Sequence, residues 1–374
     1  MMRTAILTVL LAFVIFAPPV DATEVSTEHY RVRVVTVADG LAHPWGLAWL
    51  PDGRMLVTER PGRLRLVTPE GEVSEPVAGL PSVAAGGQGG LLDVLVDPGF
   101  ADSGIIYFTY SERDHDGRGT TVVRAVLDGM TLRDPVVLFR QIPKSGGGRH
   151  FGSRLALAPD GTLFITIGDR GQAELAQSLT VNRGQVIRVT TDGRVPDDNP
   201  FAGRADTRPE IWSYGHRNPQ GAAVHPETGQ LWIHEHGARG GDEINLPLPG
   251  RNYGWPEISY GTHYDWSKIG VGHAREGMEQ PLHYWDPSIA PSGMTFVTGT
   301  PFGKWRGNLL IGALKDRMLV RVTLDGDHRV TGEEHMLEEL GERVRDVRQG
   351  ADGHIYLLTD SRNGRILRLE PVTD

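Results

Sequence analysis

Apolar residues in this chain run in stretches of four to seven or alternate with polar ones, and Gly, Pro and Asp bound the stretches. That is the pattern of short strands joined by tight turns, with no long helical period. One phrase recurs. It reads Gly46-Leu-Ala-Trp-Leu-Pro51-Asp52-Gly53-Arg-Met-Leu-Val-Thr58, then Leu155-Ala-Leu-Ala-Pro159-Asp160-Gly161-Thr-Leu-Phe-Ile-Thr166. It returns at Ala222–Ile233 and Val347–Leu358, more loosely at Leu92–Thr109, and a sixth copy fits Gly307–Thr323. Each copy is strand, Asp-Gly-type turn, strand, which is a hairpin whose turn residues accept positive φ. Hairpins repeated at intervals of roughly 45 to 80 residues fit propeller blades, which cannot bury their two apolar faces alone and so pack around an axis. The expected fold is all-β, a six-bladed β-propeller of four-stranded antiparallel blades. A pair of β-sandwiches is the alternative and explains the repeated hairpin less well.

The first residues follow a different pattern. Arg3 gives a positive start, Ala5–Ala17 has only Thr8 polar, Pro18 and Pro19 break the run, and Val20-Asp21-Ala22 offers small residues for cleavage. This three-part pattern predicts a secretory signal peptide over residues 1–22 and a single propeller domain over 23–374. The apolar run is shorter than the ~20 residues that span a bilayer, which argues against a membrane anchor. The expected location is the periplasm or the cell exterior.

Composition sharpens this picture. The chain has 374 residues, 38 Lys+Arg against 47 Asp+Glu, a formal charge of −9 and no cysteine. The negative balance argues against nucleic acid and against stable membrane association, which need basic surfaces. Without cysteine there are no disulfides, thiolate metal sites or cysteine nucleophiles, and no stray thiol can mispair in an oxidising compartment.

Four stretches carry polar residues outside the strand pattern. They are Gly86–Gly90 around Gln88; His150-Phe-Gly-Ser-Arg154 with Gly168-Asp169-Arg170-Gly171; Tyr214–Gly221 with His236–Asn245 and Asn252–Pro256; and Lys315-Asp316-Arg317 with Arg343-Val-Arg345-Asp346. His150 and Asp169 fall at equivalent ends of adjacent strands, and a carboxylate there can fix an imidazole tautomer and raise its basicity, as a general base needs. Asp169 could equally cap a turn, the glycines beside Gln88 could form a plain surface loop, and Arg217-Asn218-Pro219 an ordinary one. Arg343 and Arg345 are two apart and so face the same way in a strand, which requires an anion between them: Asp316, Asp346 or a ligand. Asp242-Glu243 among carbonyl-rich glycines suits a hard cation such as Ca²⁺, or a solvated surface.

Taken together, these motifs resemble the soluble PQQ-dependent sugar dehydrogenases, the glucose/sorbosone dehydrogenase family, and within it the bacterial periplasmic aldose sugar dehydrogenases. The likeness runs from His43-Pro-Trp-Gly46 to about Leu369. It rests on the stretches above together with Ala290-Pro-Ser292. The resemblance implies a six-bladed propeller with PQQ across its top. It implies His150 as the base for the sugar C1 hydroxyl, Asp169 as its orienting carboxylate, and Arg217 and Asn218 at the quinone end. Gln88, Lys315, Arg317, Arg343 and Arg345 would contact the cofactor. Gly237 and Ala238 would offer carbonyls to a PQQ-bound Ca²⁺, and Glu243 and Tyr253 would belong to a second, structural calcium site. An aldose substrate, an external electron acceptor (a quinone or redox protein) and a monomeric state follow from the same resemblance.

The chemistry of the residues agrees. A tri-acid planar cofactor should sit among Arg and Lys groups, and Ca²⁺ can polarise a quinone carbonyl. Ala238 stands where the glucose-specific branch has proline, and long insertions of that branch are missing, which points to a shallower site and broad aldose use. Two other functions fit such a propeller: a calcium-dependent lactonase with its metal on the axis, and a non-catalytic binding module.

Overall fold

The computed structural model describes residues 22–372. The segment expected to be a signal peptide therefore lies outside the described residues, Ala22 excepted. Among the described residues six antiparallel sheets are arranged in a ring, and nearly all of this part of the chain is strand and turn. The innermost strands are Pro44–Trp49, Leu91–Val96, Leu155–Leu157, Pro219–Val224, Pro291–Phe296 and Val344–Gln349. Each packs against the next, and the last packs against the first.

The ring closes through its termini. Arg31–Leu41 pairs antiparallel with Gly364–Pro371, Val34 opposite Leu369, so the last blade gains strands from the start of the chain and has five. The first blade has three, Pro44–Trp49, Met55–Glu59 and Arg63–Val67, and an irregular stretch covers its outer edge through Ser74 N–H to Leu66 O and Val77 N–H to Leu64 O. The other four blades have four strands each.

The repeated phrase accounts for these hairpins. Gly53, Gly161, Gly229 and Gly353 all have φ between 70° and 87°. A residue with a Cβ is strained there, whereas glycine is not. Three of the turns carry the same aspartate lock: Asp52 Oδ1 accepts from Arg54 N–H, Asp160 Oδ1 from Thr162 N–H, and Asp352 Oδ1 from His354 N–H, at 2.9–3.1 Å. The second strand of each blade is sandwiched between neighbouring blades. Met55–Glu59, Thr162–Ile167, Leu309–Ala313 and Ile355–Thr359 are accordingly buried on both sides. The outer strand Val330–Met336 is mostly exposed until Met336.

Charge closes the axis. Arg154 is fully buried; it reaches Asp346 at 2.9 Å and Asp93 at 3.4 Å and lies over the Trp45 ring at 4.1 Å. Arg348 pairs with the same two carboxylates at 2.8 and 3.0 Å. Among the described residues, no helix is long and apolar enough to cross a membrane.

Candidate functional site

The topology puts the singled-out residues at one mouth of the ring. Gln88, His150, Arg217, Asn218 and Arg343 stand just before innermost strands, and Arg345 lies at the start of one. Asp169, Gly237, Ala238, Lys315 and Arg317 stand just after second strands. The Asp-Gly turns lie at the opposite ends of these strands. Gln88, His150, Arg217, Gly237, Ala238 and Lys315 line one cleft with a volume of ≈ 460 Å³.

His150 sits in left-handed backbone, φ 57°, with Gly152, Ser153 and Arg170 also at positive φ around it. Such conformations cost energy and persist where the surroundings enforce them. Here Gln88 Oε1 accepts from the His150 N–H at 2.6 Å, and Asn218 Oδ1 accepts from the Gly152 N–H at 3.1 Å. Nδ1 of His150 faces Asp169 Oδ1 at 2.6 Å. An ionised carboxylate only accepts, so Nδ1 carries the proton and Nε2 remains the basic nitrogen. Asp169 Oδ1 also accepts from Gly171 N–H at 2.6 Å, and Oδ2 from the Trp255 indole N–H at 2.9 Å.

Burial lowers the pKa of His150, Asp169 partly offsets this, and the Arg217 charge adds to the lowering. The imidazole is therefore neutral near pH 7. Burial works against the charge on Asp169, but the His150 hydrogen bond, Gly171 N–H and Arg217 outweigh it and hold its carboxyl below the usual range.

Arg217 is buried (6 % exposed) and donates through Nη1 to the carbonyls of Gly237 and His236. Its Nε has no partner, and among the described residues no carboxylate lies within ion-pair distance. A buried cation without a counter-ion is unusual, because desolvation goes uncompensated.

Arg343 and Arg345 do face a common anion, but it is Asp360, which the sequence reading had not considered. Their guanidinium groups lie 3.8 and 3.1 Å from Asp360 Oδ2, and His43 reaches Oδ1 at 2.8 Å. Asp346 is taken by Arg154 and Arg348, and Asp316 by Lys315. Burial opposes the charge on Asp360, yet Arg345, His43 and Arg60 keep its carboxyl far below the usual range. Arg345 also donates to Gln220, whose amide donates to Gly152 O, which ties this group to the His150 loop. Arg343 donates to the Leu314 carbonyl beside Lys315. Arg317 is exposed on the rim, donates to Gly341 O, and does not line the cleft.

Glu243 and Tyr253 line an adjoining, much smaller cavity with Glu235, Gly241 and Trp255, and Arg217, His236 and Gly237 line both. Burial and the adjacent Glu235 push the Glu243 pKa up to about 8. Glu235 accepts from His216 Nδ1 at 2.7 Å and from Arg217 N–H at 2.6 Å. The Tyr253 ring stacks on His216, and its hydroxyl is committed to Leu246 and Leu248.

Three contributors had no assigned role in the sequence reading: Trp255, Glu235 and Asp360. The repeat contained a signal for two of them. In four of the six copies a carboxylate stands at or just past the end of the second strand: Glu59 and Glu235 at the end, Asp360 one residue on and Asp169 two residues on. Aligning the copies on their Asp-Gly turns places all four carboxylates at the same mouth.

A ring of six sheets with a His–Asp pair and a basic cluster at one mouth agrees with comparisons to known proteins. The family profile described as Glucose / Sorbosone dehydrogenase matches residues 41–368, and the chain belongs to that family. It is 46 % identical over 346 residues to the aldose sugar dehydrogenase YliI of Escherichia coli (strain K12), covering 91 % of this chain and 93 % of that one. The apo-form crystal structure of the soluble aldose sugar dehydrogenase from Escherichia coli superposes with a TM-score of 0.89 at 45 % identity, over 91 % of this chain and 100 % of that one. The PQQ-bound aldose sugar dehydrogenase of Streptomyces coelicolor has a TM-score of 0.75 at 30 % identity, over 95 % and 99 %.

Proposed function

We propose that this protein oxidises the C1 hydroxyl of aldose sugars to lactones, with PQQ and Ca²⁺ as cofactors and an external quinone or redox protein as electron acceptor. The observation that carries the reading is the His150–Asp169 pair opening onto the same cleft as Arg217, a buried cation with no carboxylate partner. An arginine in that state suits an anionic ligand, and PQQ has three carboxylates on a flat frame. Gln88, Asn218, Lys315, Arg343 and Arg345 would hold it, with Arg317 at the rim.

When bound, PQQ supplies the quinone that takes up the C1 hydride, and Ca²⁺ supplies a Lewis acid that polarises it. The chain supplies the rest. His150 Nε2 accepts the proton of the C1 hydroxyl, and Asp169 keeps Nδ1 protonated and stabilises the imidazolium. Arg217 stabilises the developing negative charge on the ligand. Gly237 and Ala238 would offer carbonyl oxygens to Ca²⁺; the Gly237 carbonyl accepts from Arg217 and keeps a second lone pair for the ion. Glu243 and Tyr253, with Glu235 beside them, would frame a second calcium site. Two carboxylates at an enclosed cavity, one pushed up to about 8, repel until a cation or proton joins them.

A lactonase needs free carboxylates on the axis, and here Asp93 and Asp346 are neutralised by Arg154 and Arg348. We further propose export through the segment 1–22, a domain over 23–374, a periplasmic or secreted location, and a monomer. The test adds PQQ, Ca²⁺, an aldose and an artificial dye to the purified protein. Sugar-dependent dye reduction is expected. No reduction across a panel of mono- and disaccharides overturns the reading, and lactone hydrolysis without PQQ would replace it with the alternative.

A further inference from the structure

The two most exposed large aromatic side chains among the described residues stand together on the rim. Tyr264 and Trp266 are 67 % and 68 % exposed, in a loop that pairs with the cleft segment Gly237–Gly241 through Thr262 and Arg239. Tyr264 lines the same cleft as His150, and so does Arg239. The Arg239 guanidinium lies over the Trp266 ring at 3.3 Å. Among the described residues it has no carboxylate within ion-pair distance and makes no side-chain hydrogen bond, and it is exposed to solvent.

This patch is mounted rigidly. Arg239 and Thr262 exchange backbone hydrogen bonds at 3.0 and 3.2 Å, and Thr262 bridges to Lys268. Residues 263–267 form the tip, held by His263 N–H to Ser267 O and Trp266 N–H to His263 O, both 2.9 Å. Ile269, 1 % exposed, anchors the loop against Ala238 and Trp255. Trp266 itself has φ 71°, a conformation that a bulky aromatic residue rarely adopts. The chain thus holds an indole in solvent, in a strained conformation, with a guanidinium over one face of it.

We propose that Trp266, Tyr264 and Arg239 form a second sugar subsite that holds the non-reducing residue of a disaccharide whose reducing end occupies the cleft at His150. A pyranose has an apolar C–H face that stacks on an aromatic ring and hydroxyls at its edge that accept from a guanidinium, and the patch presents both partners next to the cleft. The substrate class is then 1,4-linked disaccharides and longer oligosaccharides with a free reducing end. This rests on the proposed oxidation at His150, and the test separates the two.

Calorimetric titration of glucose, maltose and cellobiose into the protein loaded with Ca²⁺ and pre-reduced PQQ reads binding without turnover, because the quinol form cannot take up hydride. At least one disaccharide should bind about tenfold more tightly than glucose, a gap of the size that one aromatic contact provides. Trp266→Ala should erase that gap, and Trp266→Phe should retain most of it. In steady state with an artificial acceptor, Trp266→Ala should raise KM for the disaccharide about tenfold and leave kcat and the glucose constants within twofold. If sugar is bound with this gap but never oxidised, the proposed function fails and the subsite stands. If glucose is oxidised but neither disaccharide responds to Trp266→Ala, the subsite fails and the function stands. A change confined to the KM of the acceptor would assign the patch to the acceptor and overturn the subsite. Melting curves of both variants identify any loss due to misfolding, and the Phe variant keeps the test decisive if the Ala variant does not fold.

Discussion

The indole N–H of Trp255 donates to Asp169 Oδ2 at 2.9 Å, while Oδ1 of the same carboxylate faces Nδ1 of His150 at 2.6 Å. One aspartate is thus held from both sides, and its orientation toward the imidazole is fixed by a tryptophan from the following blade. Trp255→Phe keeps the ring packing but leaves Oδ2 free to rotate. Turnover should fall roughly 10- to 100-fold, the range seen when groups behind a functional histidine are lost, with a melting point close to that of the parent.

Replacing the base itself should cost more. His150→Ala should lower kcat by about 10² or more. The rise in melting temperature caused by PQQ and Ca²⁺ should persist, since stabilisation by a ligand follows its occupancy. Loss of that rise along with the activity would mean that His150 holds the cofactor instead.

Activity should also depend on pH in a definite direction. His150 must be unprotonated to accept a proton, and its pKa is lowered below 6.5 by burial first, with Arg217 adding to the effect. The acid limb of kcat/KM should therefore lie below pH 6.5, with a plateau above it. Asp169 raises the His150 pKa, so Asp169→Asn should shift that limb to still lower pH while depressing the plateau. A limb that moves upward in Asp169→Asn contradicts the assignment.

Arg217 permits a test that separates binding from folding. Its charge is buried with no carboxylate partner, so Arg217→Met leaves no orphaned anion behind. The cofactor-free protein should melt at the same temperature or higher. The stabilisation by PQQ should shrink to a small fraction of that of the parent.

The axis should behave in the opposite way. Arg154→Leu removes a fully buried cation between Asp93 and Asp346 and leaves only Arg348 to balance them. Denaturant unfolding should show a loss of about 3 to 5 kcal/mol, as for other broken buried pairs.

The fold was legible because the blade repeats. Each Asp-Gly turn marks a hairpin by a local rule, and four glycines at positive φ obey it. The unequal blades were not legible, since pairing of Arg31–Leu41 with Gly364–Pro371 joins segments more than 300 residues apart, and neither carries a turn signal for it. At the site, His150 and Asp169 could be paired because they flank one hairpin. Asp360 was missed as the partner of Arg343 and Arg345 because proximity in sequence favoured Asp346, whose carboxylate turns inward to Arg154. Trp255 reaches Asp169 from 86 residues away, and nothing in the local pattern distinguishes its N–H from that of any buried indole.

The most direct test is the absorption spectrum of the protein loaded with PQQ and Ca²⁺, recorded before and after an aldose is added without acceptor. Bleaching of the quinone band to that of the quinol in the parent, and its slowing by about 10² in His150→Ala, is the expected result. A band that persists unchanged in the parent, with PQQ shown to be bound, would contradict the claim that this cleft abstracts a sugar proton beside a quinone.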